Sequence, residues 1–283
     1  MSSKVAIQMI VFSDEVKQKG FEPVFKFIHE LGVREVELSK VPVNAQTINE
    51  ITSLFDKYDL HACALNANFD PADNGVLSVK EDLPELVEYC HLLNCEYLRI
   101  GSLPAWTYGR EAETLRYAKQ LNEIGEKLSK EDIKFYHHHH TFEFQKYHGK
   151  YGLELVLENT DPEYVGIELD THWLQFAGLH PQTWIRKLKG RADIVHLKDY
   201  RVVMPSQDIL KTITSGDELR MVSTQFAEIG TGNLDMKDII QTCIDVGVKY
   251  MPIEQDTSYD LSPYESIEKS VTNIKKYGFE NTF

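Results

Sequence analysis

Val165-Gly166-Ile167-Glu168-Leu169 is a short β-rich run that breaks into the polar stretch Asp170-Thr171-His172-Trp173, and residues 181–188 behind it read as a helix. The same order recurs along the chain in both directions. Toward the N-terminus, runs at 133–139, 97–100, 61–65, 34–38 and 5–11 are each followed by a helical pattern, at 152–158, 111–128, 79–93, 45–57 and 21–31. Toward the C-terminus, 194–197 is followed by a helix at 236–246, and 250–253 by one at 263–277. Gly32 supplies a helix stop after the first helical pattern. Eight β-then-α units in unbroken alternation predict a parallel sheet with right-handed crossovers, and eight such units close into a (β/α)8 TIM barrel. An open doubly wound sheet is the competing architecture, but no Gly-x-Gly-x-x-Gly follows the first run to support it. Barrels of about 250 residues form one domain, so residues 1–283 are read as one. The connection at 201–225 is long and polar (Ser206, Gln207, Asp208, Thr212, Thr214, Ser215) and fits a mobile flap or a plain surface excursion.

Bulk properties narrow the functional classes. The formal net charge of −14 opposes binding to nucleic acid or to an anionic membrane surface. The apolar run near the N-terminus is too short and interrupted for a signal peptide, and no stretch approaches the 20 or so apolar residues of a membrane span. Cys63, Cys90, Cys95 and Cys243 form no Cys-x-x-Cys, and three of them lie in apolar segments, as expected of buried thiols in a reducing cytoplasm. The oligomeric state is left open, a homo-oligomer included.

In a barrel of this kind, chemistry sits where the strands end. The fifth run ends in Tyr136-His137-His138-His139-His140-Thr141-Phe142-Glu143, the sixth in Glu168-Leu169-Asp170, the seventh in His196-Leu197-Lys198-Asp199 and the eighth in Glu254-Gln255-Asp256. One polar residue at a strand end is ordinarily a helix cap. Four consecutive strands delivering His or Glu, Asp, His and Glu to one rim predict a shared metal site. The histidine run lies inside the chain, unlike a terminal tag. Strand alternation sends His138 and His140 to one face and His137 and His139 to the other, and the first pair is expected to face the barrel mouth. Carboxylates with imidazoles and no thiolate suit one divalent ion: Mn2+, Zn2+, Co2+ or Mg2+.

On these residues the chain resembles the sugar isomerase/epimerase-like barrels, the xylose isomerase-like superfamily, which includes ketose epimerases, hydroxypyruvate isomerases and inosose dehydratases and, more distantly, a DNA-repair endonuclease. The branch pattern Tyr-His-Asn-His-x-x-Glu-Phe corresponds to residues 137–144, with histidine in both the tyrosine and asparagine places; a Tyr-His-His-His run of inosose dehydratases is matched by Tyr136 to His139 in a shifted frame. Glu168-Leu169-Asp170-Thr171-His172-Trp173 with Ala177-Gly178, His196-Leu197-Lys198-Asp199, Gly230-Thr231-Gly232-Asn233-Leu234-Asp235 and Glu254-Gln255-Asp256 supply four further motifs in order. The resemblance implies a Glu-Asp-His-Glu metal set. Asp170, His196 and Glu254 carry over directly. For strand five, Glu143 is taken as the ligand by residue type, with His138, which holds the position by strand register, as the neighbouring acid/base or alternative ligand.

The implied chemistry is removal of an α-proton beside a carbonyl on a small sugar or polyol, giving an enediolate. Return of the proton to the neighbouring carbon isomerises, return to the opposite face epimerises, and loss of a β-hydroxyl dehydrates. A sugar- or metal-binding barrel without turnover is a further reading. Glu254 is the first candidate base, His138 and His140 are candidates for the second acid/base, and Lys198 for neutralising an oxyanion. Gln8, Glu37 and Asn66 near the first three strand ends, with Trp106 and Trp173, are candidate substrate contacts. Arg99 and Arg201 are candidate phosphate binders, and the Gly230-Thr231-Gly232 turn is read as a tight turn or an anion nest.

Overall fold

The computed structural model describes residues 3–283, apart from the side chains of Arg220 and Met221; residues 1–2 of the expected domain lie outside the described residues. Eight strands close a parallel barrel: β1 (Lys4–Gln8), β2 (Glu35–Leu38), β3 (His61–Ala67), β4 (Tyr97–Ile100), β5 (Lys134–His138), β6 (Val165–Asp170), β7 (Ile194–His196) and β8 (Tyr250–Ile253). Each pairs with its neighbours in chain order, and β1 closes against β8 with Lys4 opposite Tyr250 and Ile7 opposite Ile253. The outer ring is α1 (Glu22–Glu30), α2 (Ile48–Tyr58), α3 (Leu83–Leu92), α4 (Glu111–Ser129), α5 (Gly152–Glu158), α6 (Pro181–Lys187), α7 (Met236–Val246) and α8 (Pro263–Lys276). Parallel strands buried on both faces place apolar residues outward against these helices. Ile7, Val36, Leu65, Leu98, Phe135, Ile167, Val195 and Ile253 do this, all buried in the main core.

The inward positions alternate with these and form two layers. The lower layer holds Ala64, Tyr97, Tyr136 and Ile194, with Tyr250 packed against them. Tyr97 and Tyr136 meet edge to face, with ring centroids 5.0 Å apart. Gly166 gives Tyr136 its room: a Cβ there would stand 2.3 Å from the tyrosine ring. Two residues further along, five of the strands present polar or charged inward positions: Glu37, Arg99, His138, Glu168 and His196, all buried. The aromatic layer plugs the barrel and leaves the ionic layer as the floor of its C-terminal mouth.

The first strand is shorter than the expected 5–11. The Gln8 side chain accepts from Ile10 N at 2.6 Å, turning the chain into a 3-10 helix, Met9–Phe12, and then the helix Ser13–Lys19. The long connection has structure of its own. Asp199–Val202 and Thr224–Ala227 pair as an antiparallel ribbon, and two short helices, Gln207–Leu210 and Gly216–Val222, lie between them. Ser206 and Ser215, read as loop polarity, are the N-caps of those helices. All four cysteines are buried and unpaired. Among the described residues, no helix is long and apolar enough to cross a membrane.

Candidate metal and substrate site

Asp170 is the last residue of β6 and caps the short helix that follows. Its Oδ1 accepts from Trp173 N at 2.9 Å, which fixes the carboxylate, while its Oδ2 is buried with no hydrogen-bond partner. The Thr171 hydroxyl lies within hydrogen-bonding distance of the backbone oxygens of His196 and Lys198, at 3.1 and 2.9 Å, tying the end of β7 to β6. His196 thereby stands beside Asp170, with Nδ1 4.0 Å from Asp170 Oδ2 and 3.0 Å from Glu254 Oε2. His138, inward-facing on β5, completes the group: one ligand atom from each of His138, Asp170, His196 and Glu254 lies within 4.8 Å of the others.

The surroundings fix the charge states. Burial opposes ionisation of Glu254, yet Lys198 and His196 hold its carboxyl well below the usual carboxylate range. Burial pushes the Asp170 carboxyl well up, and Glu254 adds to that. Burial favours neutral His196, but Glu168, Glu37 and Glu254 hold its imidazole well above the ordinary value. His138 is driven well below it by burial and by His196, and His140 falls to about 4, chiefly by burial. A neutral imidazole can ligate a metal, which His138 is placed to do, and His140 is left uncharged facing the cavity.

These residues fit a divalent ion. A buried carboxylate oxygen without a partner is costly, and Asp170 Oδ2 points among three other donors of the hard and borderline types such ions prefer. A second grouping, Glu37, Glu168 and His196, lies just beneath. There Arg99 is the internal cation: its guanidinium bonds Glu37, donates to Ser39 Oγ at 2.9 Å and sits 3.4 Å from Glu168 Oε2. Arg99 is therefore committed to the floor of the site, and Arg201 lies 3.4 Å from Glu228.

The structure does not bring Glu143 to the metal group. Its carboxylate is buried and accepts from Leu103 N at 3.1 Å and His140 N at 2.9 Å, so it clamps the loop after β4 to the end of β5. The expected swing of Glu143 into the mouth is corrected by these two amides, and His138 holds the strand-five place. Lys198 is also differently employed. It is buried, 3.1 Å from Glu254 and 2.7 Å from Asp256, and positions those carboxylates rather than facing the cavity. His137 turns outward to the Tyr117 hydroxyl at 3.0 Å, and His139 Nε2 accepts from Asp170 N at 3.1 Å.

A cavity of about 590 Å3 opens above the cluster, lined by Gln8, Asn66, Trp106, His138, His140 and Glu254 among others. Gln8 also donates to Glu254 Oε1 at 3.1 Å, and the Trp106 indole N–H is taken by Asp70 at 2.7 Å. Of the expected substrate contacts, Glu37 lies in the floor and Trp173 behind the wall, 5.2 Å from His140 ring to ring. Asp256 was not singled out; it lines the cavity and keeps Oδ1 buried without a partner. Arg99 and Glu168 as floor residues are recoverable from the two-residue alternation inward of Tyr97 and Gly166. The Gly230-Thr231-Gly232 turn is an anion nest already filled: Gly230 N, Gly232 N and Leu234 N donate to the Asp199 carboxylate at 3.1, 3.0 and 3.2 Å.

A family model described as xylose isomerase-like TIM barrel matches residues 25–277. An inosose dehydratase from Clostridium tetani is 30% identical over 139 residues, which are 46% of this chain and 42% of that protein. The match thus spans less than half the length of that relative. A sugar phosphate isomerase/epimerase from Parabacteroides distasonis has a similar structure, with TM-score 0.74 and 18% identity, covering 97% of this chain and 98% of that one. The structure of IOLI protein with a zinc atom gives TM-score 0.67 at 16% identity, covering 99% and 98%. At these identities the structural likeness is one of fold.

Proposed function

This chain belongs to the xylose isomerase-like TIM barrel family, and we propose that it is a divalent-metal-dependent isomerase or epimerase of a small keto-sugar or polyol. The observation that carries this reading is the convergence of His138, Asp170, His196 and Glu254, of which His138 and Glu254 line a cavity that also presents Gln8, Asn66, His140 and Asp256. These four residues would hold the metal. When bound, it supplies Lewis-acid polarisation of a substrate carbonyl, which acidifies the neighbouring C–H. His140, neutral and facing the cavity, can accept that proton, and Glu254, kept ionised by Lys198, is the second acceptor. Gln8 orients Glu254, and Asn66 and Asp256 are placed to meet hydroxyls. Two acceptors around one carbon allow the proton to return to a different position or face, which is the difference between isomerisation and epimerisation.

A dehydratase is the second reading, favoured by the inosose dehydratase similarity. One experiment separates the two: ketoses and inososes incubated with metal-loaded protein in heavy water and followed by NMR. Deuterium entering the α-carbon without loss of water supports the isomerase or epimerase. Loss of water with a new unsaturated carbon supports the dehydratase. Inertness across the panel leaves a binding protein or a substrate outside the panel.

A further inference from the structure

The cavity above the cluster is larger than one sugar ring needs. Its volume of about 590 Å3 is room for about twenty waters at roughly 30 Å3 each; a hexose has about a dozen heavy atoms. On the other side of Tyr108 is a second, shallower cleft of about 400 Å3, lined by Tyr108, Thr141, Phe142, Phe144, Gln145 and Ala177. Tyr108 lines both spaces. Its ring is stacked on Phe142, with centroids 4.9 Å apart and planes inclined by 28°. Tyr108 is 40% and Phe142 56% exposed, so two large rings are held face to face in solvent at the edge of the site. An exposed aromatic pair beside a cavity is a surface on which a ligand extending out of that cavity can pack.

We infer that the substrate is a saccharide of at least two rings, with the reacting ring over the metal cluster and the next ring lying on the Tyr108–Phe142 ledge. The chemistry of the cleft matches that occupant. A pyranose ring has an apolar face of C–H bonds, which an aromatic π-face attracts, and a rim of hydroxyls. Thr141 and Gln145 stand at the border of the ledge, with side-chain groups that form no hydrogen bond to another described residue. The ledge is also fixed relative to the cluster. Phe142 opens the 3-10 turn Phe142–Phe144, and Glu143 within that turn binds both His140 N and Leu103 N. One carboxylate therefore holds the ledge at a set position beside His140, as a subsite for a second ring requires.

This inference rests on the sugar-processing reading above, and its test separates the two. Metal-loaded protein is titrated by calorimetry with fructose and with isomaltulose, turanose and lactulose, three disaccharides that carry a fructose unit in different linkages. At least one disaccharide should bind tenfold or more tightly than fructose. Phe142→Ser, an exposed change in the second cleft alone and checked by thermal melting, should reduce that advantage to twofold or less and leave fructose binding unchanged; Tyr108→Ser should reduce the advantage as well. If fructose binds and no disaccharide binds better, the second-ring subsite is overturned and the monosaccharide reading stands. An advantage that persists in both variants overturns the ledge as its cause. Failure of all four sugars to bind overturns both.

Discussion

The Glu143 carboxylate accepts a hydrogen bond from the backbone N–H of His140 at 2.9 Å, which fixes an acidic residue just beyond the strand as a brace and not as a metal ligand. Glu143→Gln should therefore leave metal content at the wild-type level, because an amide oxygen can keep one of the two backbone donors. The loss of the other should cost about 1–3 kcal/mol in urea unfolding. His138→Gln should lower metal affinity by more than tenfold. Metal lost from the Glu143→Gln protein and kept by the His138→Gln protein would reverse the assignment.

In the proposed metal group, Asp170 is the carboxylate fixed by the start of the following helix. Asp170→Asn keeps a side-chain oxygen to cap the following helix but removes the charge. Added Mn2+ or Zn2+ should raise the melting temperature of the wild type, as any ligand of the native state does, and leave that of the variant essentially unchanged. Equal shifts in both proteins would exclude Asp170 as a ligand.

Acid should destabilise this fold early. Burial, above all, lowers His137 and His139 to about 3. Both are neutral in the native state from pH 7 down to that value, whereas the unfolded chain protonates them near 6.5. Protons then bind the unfolded state preferentially, so the stability present above pH 6.5 is lost as pH falls from 6.5 toward 3. Each group adds a slope of up to about 1.4 kcal/mol per pH unit. Urea midpoints measured from pH 7.5 to 4.5 should fall below pH 6.5, and His137→Gln should flatten the decline. A midpoint constant down to pH 5 would contradict the burial of these rings.

The aromatic plug depends on Gly166. Gly166→Ala should destabilise the barrel by about 1–3 kcal/mol, the usual cost of overpacking, because the new methyl would overlap the Tyr136 ring. The double change Gly166→Ala with Tyr136→Leu should recover part of that loss. A neutral Gly166→Ala would show that the ring moves aside freely.

The barrel was legible because the alternation of short strands and amphipathic helices is carried by the hydrophobic pattern of nearly every segment. The positions of Asp170, His196 and Glu254 were legible because the first two end their strands and the third directly follows the last one. What escaped lies one layer lower or just beyond. Arg99, read as a phosphate binder, is an interior counter-ion, because a strand end looks the same in sequence whether its side chain reaches a ligand or two buried glutamates. Glu143 looked like a ligand by residue type. Its commitment to Leu103 N depends on a loop forty residues away, a relationship with no local signature. The 201–225 segment, polar enough to pass for unstructured chain, forms helices because its serines are caps.

The ribbon at the base of that segment makes the segment replaceable. Val203 N donates to Ser223 O at 2.8 Å, so the chain leaves and re-enters the barrel at nearly one point. Asp199, gripped by the amides of the 230–234 turn, locks that point to the body of the fold. Whatever hangs from the ribbon is mechanically separate from the strands that hold the chemistry, and the entropic cost of lengthening it grows only slowly. The stem is thus a grafting point. Replacing residues 204–222 with a two-residue Asn-Gly turn should leave the barrel's melting temperature within a few degrees and the metal group intact. A different appendage on this stem would give the chain a different surface beside the barrel without altering the residues on the floor of the site.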